Sequence, residues 1–324
     1  MTGAFRRRIM TPKPTAVKLR TRGFHDKSPD TRAVLETVGG SFLTGLGDAV
    51  ETMSPEHTEQ RLLAVDRRYR GFAYEGAAMG FTLLDGILPG RGRSRRFLDG
   101  PGSGHVYMTY IGVGWAMARL PRPLWPDTRT LDPVLRWLVH DGYGFHQAYF
   151  HTERYVRGRA RDDRAARGTS DGAYALRAAD QGMGRALWFV AGAAPDVVVS
   201  LVDAFPAERR ADLYSGIGLA ATYAGGADEK ELIRLRESAW EHRWNLAQGS
   251  AFAAEARVHA DLVVPHCETA TNVFCGTDTD RAARLCRELR PGAETPETDP
   301  ALPRYELWRT LLANELSQCG GEGT

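Results

Sequence analysis

GFAYEGAAMGFTLLDGIL, residues 71–88, runs apolar over most of its length, with Glu75 and Asp85 as its charged positions, and stops against Pro89-Gly90. A buried strand needs only four to eight residues, so a run this long predicts a helix surrounded by protein on most sides. The same 3.6-residue spacing recurs outward from it. Val134, Leu138, Asp141, Phe145 and Ala148 step by 4, 3, 4, 3, as do Leu176, Asp180, Met183, Leu187 and Val190. No long alternation of period two appears. The pattern predicts about a dozen helices: 32–52, one opening at Ser54-Pro55-Glu56, then 71–88, 104–120, 130–150, 173–190, 196–202, 206–225 and 228–264, the last kinked at Gly249. One from Pro265, one ending at Leu289 and one over 305–316 complete the set. Arg91–Arg96 reads as a basic loop, Arg154–Ser170 as a solvated loop and Arg290–Pro303 as a flexible connector. The expected fold is all-α, a single multi-helix bundle over 28–290. Residues 1–27 form a flexible tail, and 291–324 a linker and a C-terminal helix on the same domain. No repeat of fixed period is visible.

Composition narrows the function. The 324 residues hold 43% apolar and 25% charged side chains with a net charge of +2, values of a globular chain with no field to attract nucleic acid or an anionic membrane. No stretch supplies the ~18 consecutive apolar residues of a membrane span. Arg6, Arg7 and Arg8 have no apolar segment after them, so the start is not read as a signal peptide and a cytoplasmic location is expected. Cys267, Cys275, Cys286 and Cys319 show neither C-x-x-C nor zinc spacing and are expected to be free thiols.

Three G-x-G runs, at 112–114, 182–184 and 216–218, lack the preceding strand of a dinucleotide fingerprint. They read instead as places where helix backbones approach closely. Acids on apolar faces are the sharper signal: Glu75, Asp141 and Asp180 each sit in an apolar stripe. A buried carboxylate must pair, hydrogen-bond or hold a proton, so these acids form either interhelical ion pairs or the polar floor of a pocket. They are expected in one interior region with His146 and Arg185. Arg177, Arg70 and His105 are further available partners.

Glu255 and His259, at i, i+4, could join His266, His146 and His151 around a metal, but a solvated face explains the spacing, and no metal or other cofactor is expected. Asp162-Asp163 is not followed by D-D-x-x-D, and Asp278-Thr279-Asp280 lacks the last acid of D-x-D-D, so standard terpene cyclase motifs are missing. There is no G-x-S-x-G.

Five segments resemble the hallmark blocks of the UnbL-type enediyne biosynthesis proteins of actinomycetes, a domain of unknown function. They are Arg70–Gly76 (RGFAYEG), Asp141–His146 (DGYGFH), Asp180–Arg185 (DQGMGR), Asp212–Gly218 (DLYSGIG) and Gln248–Ala253 (QGSAFA), with Pro265-His266 as a further short block. The resemblance implies secondary metabolism, of the enediyne polyketide type, and supplies no catalytic residues. Joined to the buried acids, it predicts a protein that acts on or binds a long apolar polyene in a helical pocket, by cofactor-independent cyclisation or isomerisation. Glu75, Asp141, His146, Asp180 and Arg185 are the expected catalytic groups. Tyr74, Asp85, His105, Tyr143, Phe145, Gln181, Gln248, Phe252 and His266 are the expected binding surface. An unconventional isoprenoid cyclase and a non-catalytic carrier are the alternatives, and a homodimer is open to it.

Overall fold

The computed structural model describes residues 2–90, 92–164, 172–292, 294–296 and 302–319, and among these there is helix and no strand. In chain order the helices are α1 (Gly3–Met10), α2 (Leu19–Arg22), α3 (Pro29–Thr52), α4 (Pro55–Leu62), α5 (Arg67–Ile87), α6 (Arg93–Asp99), α7 (Val106–Arg119) and α8 (Trp137–Phe150). Then come α9 (Gly172–Val190), α10 (Pro195–Asp203), α11 (Ala207–Ala224), α12 (Glu229–Ser238), α13 (Arg243–His259), α14 (Pro265–Cys275), α15 (Thr279–Glu288) and α16 (Arg304–Cys319). The ends follow local chemistry. Ser28 and Ser54 cap α3 and α4, each with Pro at the first helical position, and Asp228 with Glu231 forms a capping box on α12. None of the described helices is long and apolar enough to cross a membrane.

Seven helices, α3, α5, α7, α8, α9, α11 and α13, form a serial array in which each packs on the next. Partner residues advance in the same direction along both members of a pair. Trp137 meets Tyr174 while Tyr149 meets Phe189, and Arg177 meets Asp212 while Trp188 meets Gly225. The core helices are therefore parallel, and the shorter helices and loops return the chain. The array curls back on itself: Phe72 of α5 packs edge-on against Tyr223 of α11 at 5.1 Å, and Tyr107 of α7 bonds Glu255 of α13.

Each step of the array is built on the same device. A Cβ on Gly182 would lie 1.8 Å from the Asp141 carbonyl oxygen, and one on Gly216 1.9 Å from that of Gln181. The rule holds from Gly112 through Gly142 and Gly182 to Gly216 and Gly249: each sits on the carbonyl of the residue just before the corresponding glycine of the preceding core helix. Gly76 sits likewise on the Phe42 carbonyl, although α3 carries Leu43 where the other helices have the glycine. Only a residue without Cβ lets the backbones come this close. The small-residue pairs are thus a repeat, but the corresponding glycines stand at 76, 112, 142, 182, 216 and 249, at intervals from 30 to 40 residues, which is why no fixed period shows in the sequence.

Other expectations shift. Helix 130–150 begins only at Trp137, after a 3-10 turn at Thr128–Thr130 and Pro133. Helix 228–264 is divided at Trp240, which takes φ +45°, whereas α13 runs unbroken through Gly249. Part of the expected basic loop is α6, and the loop after α8 opens with a π-helical turn, Glu153–Arg157. Residues 165–170 of that loop, and 293 and 297–301 of the expected connector, lie outside the described residues. The N-terminal stretch is not a free tail. Arg6 and Arg7 bond the C-terminal end of α3 at Val50, Asp48 and Glu51, Arg22 reaches the Tyr149 carbonyl, and the His25 N–H reaches Val190. At the other end, Trp308 and Leu312 of α16 are buried in the common core.

Candidate functional site

A cavity of about 290 Å³ opens on the inner side of the curl. Its wall is formed by α3, α5, α7, α8 and α9, with Pro12 and Val17 of the N-terminal segment closing one side. Seven aromatic rings line it, those of Phe42, Phe72, Trp115, Phe145, Tyr149, Phe150 and Phe189, with Val38, Leu43, Leu46 and Met79 between them. The polar side chains in the wall are Glu75, His146, Arg185 and Arg119.

The repeat sets this lining. Met79, Trp115, Phe145 and Arg185 each stand three residues after the corresponding glycine of their helix, so one row of the array supplies four walls. Glu75 stands one residue before its glycine. Aligning the G-x-G segments by that glycine would have picked out Trp115, which the stripes alone did not single out.

The polar groups are unequally satisfied. Arg185 lies 2.5 Å from Asp141 and 3.9 Å from Glu75, all three buried. Asp141 also accepts from Gln181 Nε2 at 2.8 Å. Burial works against the Arg185 charge, but Asp141 and Glu75 outweigh it and hold the guanidinium protonated. Glu75 is the second claimant on one cation. Burial pushes its carboxyl up to about 7, with Arg185 opposing the shift and Asp141 adding to it. The Trp115 indole N–H also acts on Glu75, although it is buried and makes no hydrogen bond of ordinary geometry. A carboxyl near 7 is divided between acid and base at neutral pH, the state that proton transfer requires. His146 is pushed down to about 3 by burial and is a neutral imidazole in the wall; its Nδ1 is 3.4 Å from Gln147 Oε1.

Behind Asp141 a buried polar chain crosses the array. Gln181 bonds the Tyr305 hydroxyl at 2.9 Å, Ser215 donates to Gln248 at 2.7 Å, and Arg309 reaches Gln248, Asp212 and Glu306. Gln181 and Gln248 are therefore held in the framework and do not line the cavity.

Asp180 does not join this site. One residue before Gln181, it faces another side of α9, where Arg209 binds it at 2.6 and 3.0 Å and Arg161 at 2.8 Å. Of the other expected partners, Arg177 serves Asp212 and Glu306, and Arg70 bonds the carbonyls of Val65 and Leu63. Among the expected binding residues only Phe145 lines the cavity. Tyr74 stacks on His105 at 3.7 Å, and burial takes that histidine down to about 4. Asp85 caps the start of α6, accepting from the Gly92 and Ser94 N–H, beside a second hollow of about 200 Å³. Tyr143 donates to Asp162 at 2.6 Å, Phe252 packs on Trp308 and Tyr305, and His266 meets the Tyr223 carbonyl at 3.1 Å.

Among the described residues no three His, Cys, Asp or Glu side chains are grouped to hold a metal ion. Glu255 is engaged by Arg287 at 2.6 Å and by the Tyr107 hydroxyl. Cys267, Cys275 and Cys286 are buried and free.

The family model described as "Protein of unknown function (DUF1702)" matches residues 1–316. Comparison with curated proteins and with solved structures finds no match.

Proposed function

We propose a function drawn from the cavity itself, since the chain belongs to the DUF1702 family and that family's description names no activity: the protein takes an unsaturated apolar molecule into the cavity, and Glu75 transfers a proton to it. The observation that carries this reading is a buried carboxyl near neutrality facing an aromatic-lined hollow. The protonated carboxyl adds its proton to a carbon–carbon double bond, and the π electrons form the new C–H bond. The cation left behind is stabilised by the surrounding ring faces. The new Glu75 carboxylate is balanced by Arg185. Loss of a proton from a neighbouring carbon back to that carboxylate ends the cycle as an isomerisation. If a second double bond attacks the cation first, the same loss ends it as a cyclisation. No electrons are gained or lost overall. Neutral His146 is a second acceptor in the wall.

Size bounds the substrate. A cavity of ~150 Å³ accommodates benzene, so about 290 Å³ suits roughly a dozen carbons, a compact molecule or one end of a longer chain. The resemblance of the sequence blocks to those of the enediyne biosynthesis proteins favours a polyene of secondary metabolism as the substrate, and an isoprenoid would meet the same chemistry. The test is complementation of a gene deletion with Glu75→Gln. The variant should fold, leave the product absent and let the precursor accumulate. Full product from a folded Glu75→Gln protein would overturn the acid role and leave a carrier.

A further inference from the structure

We infer that the ligand of this cavity bears one negative charge at its outer end, a carboxylate, and that Arg119 receives it at the rim, with the Arg22 guanidinium over the Tyr149 and Phe150 rings adding to the positive charge there. This rests on the reading of the cavity as the ligand site. Arg119 is the last residue of α7; it is exposed, yet it forms part of the cavity wall, which puts it at the opening. It stands seven residues after its glycine, whereas Glu75 stands one before. In parallel helices rising ~1.5 Å per residue, the two levels are about 12 Å apart, so a ligand anchored at Arg119 reaches inward to Glu75.

The charge at the rim is unanswered. Arg119 has no hydrogen bond or ion pair among the described residues. The Arg22 guanidinium lies over the rings of Tyr149 and Phe150, both in the cavity wall, and donates to the Tyr149 carbonyl at 2.7 Å. Its Nε is buried without an acceptor. The acid in the wall, Glu75, lies deep. Glu36, whose charge reaches Tyr149, is engaged by Lys18 at 2.6 Å and by the Leu19 N–H. Arg185 is held by Asp141. The C-terminal ends of α7 and α8 each contribute about half a negative charge, which offsets about one of the two arginine charges. A surplus near +1 remains, the complement of one carboxylate on an apolar chain.

The experiment measures displacement of the neutral fluorophore N-phenyl-1-naphthylamine from the full-length protein at pH 8 by decanol, decanoate and decyl phosphate. Decanoate should bind at least tenfold more tightly than decanol, by an advantage that shrinks with added salt. Arg119→Gln should close that gap by weakening decanoate far more than decanol, and Arg119→Lys should keep part of it; circular dichroism establishes that both variants fold. Equal binding of decanol and decanoate to the native protein would overturn the inference while leaving the cavity reading intact. Failure of the fluorophore and of all three ligands to bind would overturn both. Decyl phosphate as the tightest ligand would overturn the carboxylate and assign a phosphate head instead.

Discussion

Asp141 holds Arg185 at 2.5 Å. One guanidinium thus serves two buried acids, and the closer of them leaves Glu75 to carry its proton. Asp141→Asn should release Arg185 toward Glu75, bring the Glu75 titration well below 7 and abolish turnover. Breaking a buried pair costs about 3–5 kcal/mol; here the loss should be smaller, because Glu75 takes over the cation. Denaturant unfolding gives the stability, and carboxyl NMR gives the titration.

Glu75 also sets a pH dependence of stability. Its folded pKa of about 7 lies above the ordinary 4.5, so between those values the folded protein binds more protons than the unfolded chain. Stability must then fall as pH rises from about 4.5 through 7 and level off above. Glu75→Gln should lack this decline and be the more stable protein at pH 8, by up to ~3 kcal/mol. Urea midpoints of both proteins at pH 5 and pH 8 check it.

His146 works in the opposite sense. Its folded pKa of about 3 lies below 6.5, so the unfolded chain binds the extra proton between those values. Stability is complete above pH 6.5 and lost as pH falls toward 3. His146→Phe, which keeps an aromatic ring against Trp115 and Phe150, should flatten the acid side of the profile. An unchanged slope between pH 4 and 6.5 would contradict the burial assigned to this imidazole.

The all-helical fold was legible because 3.6-residue stripes and stop signals are local. The apolar run 71–88 lies in α5, which starts four residues earlier at Arg67 and carries the buried acid Glu75. The site was legible in part for the same reason: an acid in an apolar stripe must be buried, and Glu75, Asp141 and Asp180 all are. Which of them shares a cavity depends on rotation about the helix axis and on partners far along the chain. Asp180 and Gln181 are neighbours in sequence, yet one meets Arg209 and the other Asp141. Arg209 stands 29 positions from the acid that it neutralises, and no local pattern announces such a pair. The N-terminal segment was misread because its few apolar residues, Val17 and Leu19 among them, bury themselves on distant helices.

The glycine repeat can be tested with a matched pair. In Gly182→Ala a Cβ would lie 1.8 Å from the Asp141 carbonyl oxygen, so α8 and α9 must separate, at a cost of several kcal/mol by overpacking. Gly40 in α3 has nothing within 4 Å of the added carbon, and Gly40→Ala should stabilise by about 0.5–1 kcal/mol through helix propensity. Thermal melts showing equal effects would refute the close-approach role.

Asp180→Asn should separate structure from chemistry. It leaves Arg209 buried without its carboxylate and should destabilise by about 3–5 kcal/mol. Ligand binding in the cavity, read by displacement of the same fluorophore at a temperature where the variant is folded, should be unaffected. A selective loss of binding would return Asp180 to the site.

Whether a neutral carboxylic acid faces the ligand cavity is decided by carboxyl carbon NMR of Glu75, with the resonance assigned by its absence in Glu75→Gln. The titration midpoint should lie near 7 in the free protein and move upward when decanol fills the cavity and excludes the remaining solvent. A midpoint near 4.5, unmoved by decanol, would contradict it.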